Sequence, residues 1–255
     1  MNEADELIEL CVRALVAQMI AAPGVELHVT RTCVLGLTDE PLADFNRLIL
    51  GAEAGAEEFL IRATARAKER GRPLVATMSP VVAEALGPVA ARLGFAKVGS
   101  SPLMMLDPDV PVRPGRSLKI VRVLDAQEVA VAGDLIAAAF EETREVIARY
   151  IEVGMTPTSG VETYVGYGED GAMCTVSMTP TGDTGAISLM ATPPEHQRKG
   201  LGQALLSQMI DDYRRRGMRR FHLGATEAGR ALYEGLGFRT VAEAPVWLLA
   251  AEGQA

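Results

Sequence analysis

The sequence lacks most features of secreted, metal-binding and membrane-spanning proteins. Its 255 residues include only three cysteines, Cys11, Cys33 and Cys174, which are widely separated and never form a Cys-x-x-Cys pair. This usage indicates neither a disulfide framework nor a thiolate metal site, and it fits a reducing cytosol. No uninterrupted apolar run reaches about eighteen residues, and the acidic start of the chain is unlike a signal peptide. We therefore expect a cytoplasmic protein without a membrane span.

Positive charge and aromatic side chains are also scarce. The formal net charge is -8 and aromatic residues make up 5% of the chain. Surfaces that bind nucleic acid or anionic membranes normally carry excess positive charge, so neither partner is expected, whereas a cationic amine would be mildly attracted. None of the three histidines has metal-ligand spacing such as HExxH, so we predict no metal site. The sequence predicts no particular oligomeric state.

The apolar content, at 48%, is sufficient for a sizeable core, and the two halves of the chain contain matching segments. Leu93-Gly94-Phe95 matches Leu236-Gly237-Phe238, and residues 101–106 match residues 244–249 with the same offset. Arg70-Gly71 corresponds to Arg216-Gly217 after a three-residue slip. Together these matches predict an internal repeat.

A segment rich in proline separates the halves. Pro108, Pro111, Pro114 and Gly115 interrupt any regular element between residues 107 and 117. We therefore predict one domain at residues 1–107, a linker at 108–116 and a second domain at 117–255.

Hydrophobic periodicity in the second half predicts an antiparallel meander followed by a glycine loop and an amphipathic helix. The predicted strands are Leu118–Val123, Glu162–Tyr167, Ala172–Met178, Ala186–Thr192, Phe221–Leu223 and Arg239–Leu249, and the predicted helices are Ala126–Phe140, Glu142–Val153, Leu201–Arg216 and Glu227–Leu236. In the third of these helices, an apolar stripe is expected to pack on the sheet: Leu201, Ala204, Leu205, Met209 and Tyr213.

The segment Gln197-Arg198-Lys199-Gly200-Leu201-Gly202 suits a bound pyrophosphate. Its glycines let the backbone approach a ligand, and the following helix adds the partial positive charge of its first turn. A dinucleotide fingerprint would need a small third residue, where this chain has Leu205. A nucleoside-triphosphate loop would need Gly-Lys-Ser/Thr, whereas Lys199-Gly200 has the reverse order.

Here the chain resembles the GNAT acetyltransferase superfamily, whose acetyl-CoA loop reads Gln/Arg-x-x-Gly-x-Gly/Ala. Gln197, Gly200 and Gly202 match that loop, and residues 231–238 are similar to the family's second signature. The resemblance covers residues 117–249 at motif level. It implies an α/β (α+β) fold of two tandem GNAT-like domains, each a mixed, mostly antiparallel sheet flanked by helices, the first being a degenerate copy.

The resemblance also implies roles for particular residues. Backbone groups of Met190, Ala191 and Thr192 are expected to contact the pantetheine of acetyl-CoA, and residues 197–202, including Arg198, Lys199 and Leu201, the pyrophosphate. The side chains of Arg198 and Lys199 could equally be solvated charges, because a backbone cradle needs neither. Thr226 is expected either to contact the cofactor or to serve as a helix N-cap.

Tyr233 is the expected general acid, because a thiolate leaving a thioester must accept a proton and a nearby phenol can donate one. Helical spacing predicts a buried stripe of Ala228, Ala231, Leu232 and Leu236, with Tyr233 turned away on the same face as Thr226. The alternative for Tyr233 is a ring packed at the edge of the core. No general base is apparent, and Glu141, Glu142 and Glu162 are candidates that could equally be surface charges.

The first half lacks the expected chemistry. The repeat places Ala90 where Tyr233 stands and Ala83 where Thr226 stands. Its counterpart of the loop, about Gly51 to Ala56, carries Glu53 instead of cations, which would repel a pyrophosphate. We therefore expect one active site, in the second half, and a structural or regulatory first half.

The leading functional hypothesis is an N-acetyltransferase that moves acetyl from acetyl-CoA to a primary amine of a small molecule or peptide by direct attack. No GxSxG elbow or cysteine with a nearby histidine suggests an acyl-enzyme. The alternative is a non-catalytic acyl-CoA-binding sensor or interaction module of the same fold.

Overall fold

The computed structural model describes residues 2–22, 24–113, 115–140, 144, 147 and 160–251. Two compact units are distinguished: Met1–Met104, Gly224–Ala228 and Thr240–Ala255 form the first, and Met105–Leu223 and Gly229–Arg239 form the second. The predicted boundaries at residues 107 and 117 stay a prediction. The predicted helix Glu142–Val153, together with Glu141 and Glu142, lies outside the described residues, Arg144 and Ile147 excepted.

Both units contain helices and strands. In chain order they are α1 (Glu3–Met19), β1 (Glu26–Val29), β2 (Cys33–Leu37), β3 (Arg47–Leu50), α2 (Ala56–Glu69), β4 (Leu74–Met78), α3 (Pro80–Leu93), β5 (Ala96–Leu106), β6 (Lys119–Arg122), α4 (Ala126–Phe140), β7 (Glu162–Gly168), β8 (Gly171–Thr181), β9 (Thr184–Ala191), α5 (Leu201–Arg215), β10 (Arg220–Gly224), α6 (Glu227–Gly235) and β11 (Arg239–Leu249), with short 3-10 turns at Ala43–Phe45 and Pro194–His196. Among the described helices, none combines the length and apolarity needed to cross a bilayer.

The first unit contains a mixed sheet in the order β1-β2-β3-β4-β11-β5. Strands β1 to β3 form an antiparallel meander, and β4 pairs parallel to β3. The C-terminal strand β11 pairs antiparallel to β4, with Val246 opposite Thr77 and Leu249 opposite Leu74. The last strand of the chain therefore contributes to the sheet of the first unit.

The second unit repeats the same pairing pattern in the order β10-β9-β8-β7-β6. Strands β6 to β9 are antiparallel, and β10 pairs parallel to β9. Helix α4 packs with Val165 and Ala191 in one core cluster. Helix α5 buries the predicted stripe completely, which confirms that prediction: Leu201, Ala204, Leu205, Met209 and Tyr213 are all at most 3% exposed.

Matching turns support the repeat structurally. The N–H of Phe95 donates to the carbonyl of Ala90 at 3.0 Å, and the N–H of Phe238 donates to the carbonyl of Tyr233 at 3.0 Å. Each of these turns ends a helix and leads into an eleven-residue strand, β5 or β11. Helices with such carbonyl-satisfying ends stop at a defined residue, so both copies begin their last strand in the same way. The predicted α/β fold with mixed sheets flanked by helices is confirmed.

The predicted linker region lies against the second unit. Arg239 Nε pairs with Asp107 Oδ2 at 2.8 Å, and Arg214 donates to the carbonyl of Val110 at 2.8 Å. Gly115 approaches α5 so closely that a Cβ at that position would lie 2.5 Å from the Cα of Ala204. One ion pair, one hydrogen bond and close packing thus hold this proline-rich segment in place.

Candidate functional site

Strand β9 departs from regular pairing near its C-terminal end. Thr175 of β8 lies opposite Ala191, and Ser177 lies opposite Ser188, so three steps on β9 face two steps on β8. The extra residue is a β-bulge, and Leu189 within it has a φ of 47°, which is uncommon for a side chain of its size. The bulge re-aims the backbone of the predicted contact residues Met190 and Ala191.

The parallel pairing of β9 with β10 covers only the start of β9. It runs from Thr184 opposite Arg220 to Ala186 opposite His222, and Ile187–Ala191 lie beyond the last pair. Backbone N–H and C=O groups are obligatory hydrogen-bonding groups, so a strand end that continues past its partner can pair with the amides of an extended ligand.

The first unit differs at the corresponding place. There the parallel strands β3 and β4 pair through to Leu50 opposite Met78, and the N–H of Ser79 continues the contact to the carbonyl of Leu50 at 2.9 Å. Pairing of β2 with β3 is regular from Cys33 opposite Leu50 to Gly36 opposite Arg47. The parallel strands of the first unit therefore stay paired to their ends, which we call closed, whereas β9 of the second unit continues past its last pair with β10, which we call open.

The predicted pyrophosphate loop follows β9 directly. Gln197 Nε2 donates to the carbonyl of Thr192 at 3.0 Å, which ties the loop to the end of the strand. Gly200, at a φ of 73°, precedes α5 without any side-chain cap, and the first turn of α5 contains no acidic residue. Residues 197–200 are exposed, including Arg198 and Lys199. An uncapped helix N-terminus beside two cations attracts an anion.

The bulge and the loop meet at Gly202. A Cβ built on Gly202 would lie 3.1 Å from Met190 Cε and 3.5 Å from both Thr192 Oγ1 and Leu232 Cδ2. The structure thus brings Met190, Thr192 and Gly202 together, and their role in binding a cofactor stays a prediction. Leu201, by contrast, is 2% exposed, so its side chain belongs to the core and only its backbone faces the loop.

In the equivalent loop of the first unit, a glycine at positive φ likewise precedes the helix, but the nearby charged side chains are acidic instead of basic. Gly55, at a φ of 88°, precedes α2 without a side-chain cap, and Glu57 and Glu58 occupy the first turn. Glu53 accepts hydrogen bonds from Thr32, at 3.1 Å from its N–H and 2.7 Å from its hydroxyl. The carboxylates expected in this loop are therefore present at a helix N-terminus that would otherwise attract anions.

The predicted orientation of Tyr233 is wrong. Tyr233 is 8% exposed and Leu236 is 1% exposed, whereas Ala228 and Ala231 are exposed. The ring of Tyr233 packs edge-to-face against Phe238 at a centroid distance of 5.8 Å, which draws it inward at the end of α6. Burial raises the pKa of its phenol to about 12.

The predicted shared exposure of Thr226 and Tyr233 is consequently wrong as well. Thr226 is exposed and directly precedes α6, which is the position of a helix N-cap. Tyr233 lies seven positions later in the chain, and its ring packs against Phe238 at the end of α6.

Glu162 is a carboxylate of the second unit with several hydrogen-bond partners, and the sequence marks it only as a candidate base or a surface charge. The guanidinium of Arg216 donates hydrogen bonds to both carboxylate oxygens of Glu162, at 2.8 and 3.1 Å, and the hydroxyls of Tyr164 and Tyr213 donate to Oε2. Arg122 lies 3.3 Å from Oε1. Burial alone would raise the pKa of Glu162, but these hydrogen bonds and the Arg122 charge lower it to about 2. Glu162 is therefore unsuited to accept a proton near neutral pH.

Three other titratable groups among the described residues, Cys11, Cys174 and His222, are poor candidates for a nucleophile or a base near neutral pH. Burial raises the pKa of the Cys11 and Cys174 thiols to about 12, so neither is a ready thiolate. Burial and the nearby Arg220 lower the pKa of His222 to about 4. Within the described part of the chain, no group of three or more His, Cys, Asp or Glu side chains is placed to hold a metal ion.

Comparison with known sequences points to one class of enzyme. Residues 159–240 match the sequence profile of the Acetyltransferase (GNAT) domain family. A segment of 59 residues is 41% identical to the [Ribosomal protein bS18]-alanine N-acetyltransferase of Escherichia coli (strain K12), covering 22% of this chain and 40% of that enzyme. The chain therefore spans about two fifths of the length of the curated relatives that it matches.

Comparison with solved structures extends the likeness of fold to the whole chain. A GCN5-related N-acetyltransferase from Kribbella flavida superposes with a TM-score of 0.70 at 17% identity, covering 97% of this chain and 95% of that one. A tandem GNAT protein from the clavulanic acid biosynthesis pathway gives a TM-score of 0.62 at 17% identity, covering 98% and 95%. At these identities the likeness concerns the fold, including its tandem arrangement.

Proposed function

Because residues 159–240 match the GNAT domain family and the whole chain is similar in fold to a GCN5-related N-acetyltransferase, we propose that its second half, residues 117–255, transfers an acetyl group from acetyl-CoA to a primary amine. One contrast carries the proposal. In the second unit an open strand end at Ile187–Ala191 leads into an uncapped helix N-terminus, and in the first unit the corresponding strands are closed and the helix start is acidic. Residues 1–107 then serve as a structural or regulatory copy.

The open strand end fits the pantetheine arm of acetyl-CoA. Backbone groups of Met190, Ala191 and Thr192 lie beyond the last pair with β10, at or directly after the bulge, where an extended chain with amides can add alongside. Residues 197–202 then hold the pyrophosphate through first-turn N–H groups, with Arg198 and Lys199 adding charge. Thr226 contributes its hydroxyl to the cofactor or caps α6.

Tyr233 is the proposed general acid. An uncharged amine attacks the thioester carbonyl carbon, the C–S bond breaks, and the departing thiolate takes the phenol proton of Tyr233. The raised pKa of Tyr233, about 12, supports this role in one respect: the phenol keeps its proton throughout the physiological range. Before the attack, the substrate ammonium loses one proton to water, since the pKa of Glu162, about 2 beside Arg216, makes this carboxylate too weak a base. The nitrogen of the adduct loses a second proton, which water carries back to the phenolate of Tyr233.

The acceptor is proposed to be a small-molecule or peptide amine in the cytoplasm, with no nucleic acid or membrane as partner. The acidic net charge of -8 favours a cationic amine. The E. coli relative, named for a ribosomal-protein alanine, supports including a peptide amine among the acceptors.

The second candidate is a non-catalytic acyl-CoA sensor of the same fold. It is favoured by one observation: Glu162, the base candidate that lies within the described residues, is locked in ion pairs. A sensor would keep the cofactor site and lose turnover.

Thiol release from acetyl-CoA over a panel of amines and peptides separates these candidates. We expect amine-dependent turnover that falls about 10²- to 10⁴-fold in Tyr233→Phe, with unchanged acetyl-CoA affinity. Tyr167→Phe, a partly buried tyrosine of β7, is the matched control and should retain activity. Tight acetyl-CoA binding without amine-dependent turnover would establish the sensor, and full activity of Tyr233→Phe would remove Tyr233 from the mechanism.

A further inference from the structure

A cleft of about 320 Å³ lies within the first unit, between the outer strands of its sheet and helix α2. Its volume is at the lower end of the range for small-molecule sites. The residues that line it come from β1, β2 and one face of α2: Glu26, His28, Leu35, Phe59, Arg62, Ala63, Ala65, Arg66 and Glu69. The cleft is separate from the proposed acetyl-CoA site, which the second unit carries.

The floor of the cleft is apolar. Leu35 and Ala63 are each 2% exposed, and Phe59 is a partly buried ring packed against the same core. Apolar surface of this kind, with an aromatic ring at its edge, favours a flat hydrophobic ligand.

The acidic groups at the rim are already neutralised. Arg66 Nε donates to both oxygens of Glu26 at 2.9 Å, Arg70 lies 3.5 Å from the same carboxylate, and His28 Nε2 lies 2.7 Å from it. Arg66 also pairs with Glu69 at 2.6 Å. Neither carboxylate is therefore available to a cationic ligand without breaking an existing pair.

Arg62 is different. It is exposed at the rim and makes no hydrogen bond or ion pair with any residue that the structure describes. A guanidinium has a planar set of donors that matches a carboxylate in a two-bond arrangement. The charge left over at this cleft is thus positive and suited to a carboxylate.

The second unit provides an internal comparison. Aligning Arg70-Gly71 with Arg216-Gly217 places the α2 lining residues opposite α5 residues that line a cleft beside Tyr164: Gln208, Met209, Asp211, Asp212 and Arg215. Met209 stands where the first unit has Ala63, and Gln208 stands where it has Arg62. The second cleft therefore has a larger side chain at its floor and no counterpart of the unpaired guanidinium.

We propose that the cleft of the first unit binds a small aromatic carboxylate. The ring lies on Leu35, Phe59 and Ala63, and the carboxylate pairs with Arg62. This assigns a ligand site to the half of the chain that lacks the features of an acetyl-CoA site, and it does not depend on the function proposed for the second half.

Calorimetric titration of the full chain with 1-naphthoate tests the proposal, with 1-naphthalenemethanol as the uncharged probe of the same ring size. We expect one naphthoate per chain, bound at least about tenfold more tightly than the alcohol, because a hydrogen-bonded charge pair distinguishes the probes. Arg62→Gln should weaken naphthoate binding about tenfold or more. Arg215→Gln, an exposed arginine of the second cleft, is the matched control and should leave binding unchanged.

A second variant addresses the apolar floor. Ala63→Met introduces the side chain that the second unit carries at this position and should abolish naphthoate binding, with thermal unfolding measured alongside to confirm a folded chain. If Ala63→Met does not fold, Arg62→Gln decides, because it alters only an exposed side chain. Undetectable naphthoate binding, equal binding of the alcohol, or unchanged binding by Arg62→Gln would overturn the proposal.

Discussion

The carboxylate of Glu162 should make the second unit sensitive to acid, and Glu162→Gln tests this quantitatively. In the folded protein its pKa is lowered from 4.5 to about 2, chiefly by Arg216 and two tyrosine hydroxyls acting against the effect of burial. Each pKa unit corresponds to about 1.4 kcal/mol, so ionised Glu162 contributes roughly 3 kcal/mol to stability at neutral pH. The side chain is only 15% exposed, so solvent screening is limited.

The direction of the pH dependence of stability follows from the lowered pKa of Glu162. Well above pH 4.5 the carboxylate is ionised in both folded and unfolded chains, and the full contribution is present. As the pH falls from 4.5 towards 2, the unfolded chain takes up a proton first, and about half of the contribution remains midway between these values. Wild type and Glu162→Gln should therefore differ strongly at pH 7 and converge in acid.

Urea unfolding followed by far-UV circular dichroism at pH 7 and near pH 3.3 provides the measurement. Tryptophan fluorescence is less suitable, because the single tryptophan, Trp247, belongs to the first unit. Glu234→Gln, at an exposed position of α6, is the control and should change stability by less than about 0.5 kcal/mol at both pH values. A loss below about 1 kcal/mol at pH 7, or an equal loss at both pH values, would refute the reasoning.

Three further predictions concern the glycines and the cofactor site. Gly115→Ala should lower the free energy of unfolding by about 1–3 kcal/mol in urea titrations, because the new Cβ would lie 2.5 Å from the backbone of Ala204. Gly99→Ala is the control and should not destabilise, because a Cβ there has no other atom within 4 Å. Gly200→Ala should destabilise by about 1–2 kcal/mol and raise the KM for acetyl-CoA, because its φ is 73°, and Gly200→Asn should be milder. If Tyr233 is the acid, with its pKa near 12, kcat should show no alkaline decline below about pH 10 in a stopped-time assay, and an earlier decline would contradict that role.

Much of the fold could be read from the sequence because local patterns encode it. The stripe from Leu201 to Tyr213 is set by helical periodicity alone, and all five of its predicted residues are buried. The repeated Leu-Gly-Phe segments at residues 93–95 and 236–238 likewise form matching turns, with the same hydrogen bonds. These features depend on residues within a few positions of one another.

Other features of the site depend on partners far away in sequence. The ring of Tyr233 is buried against Phe238, although the spacing of apolar residues along α6 predicts exposure. Glu162 reaches Arg216 and Tyr213 across more than fifty residues, and this separation conceals the cluster from any local pattern. The burial of Tyr233 and the lowered pKa of Glu162 therefore depend on the tertiary structure.

The sequence by itself determined the position of the glycine loop and the half that carries it, and it predicts anion binding there, because Gly200, Gly202 and two cations lie within five consecutive residues at a helix start. Only the tertiary structure decided that the strand beside this loop is open and bulged, that its counterpart in the first unit is closed, and that β11 completes the first unit's sheet. Strand register and partner choice are set by hydrogen bonds between distant segments, which no single stretch of sequence contains.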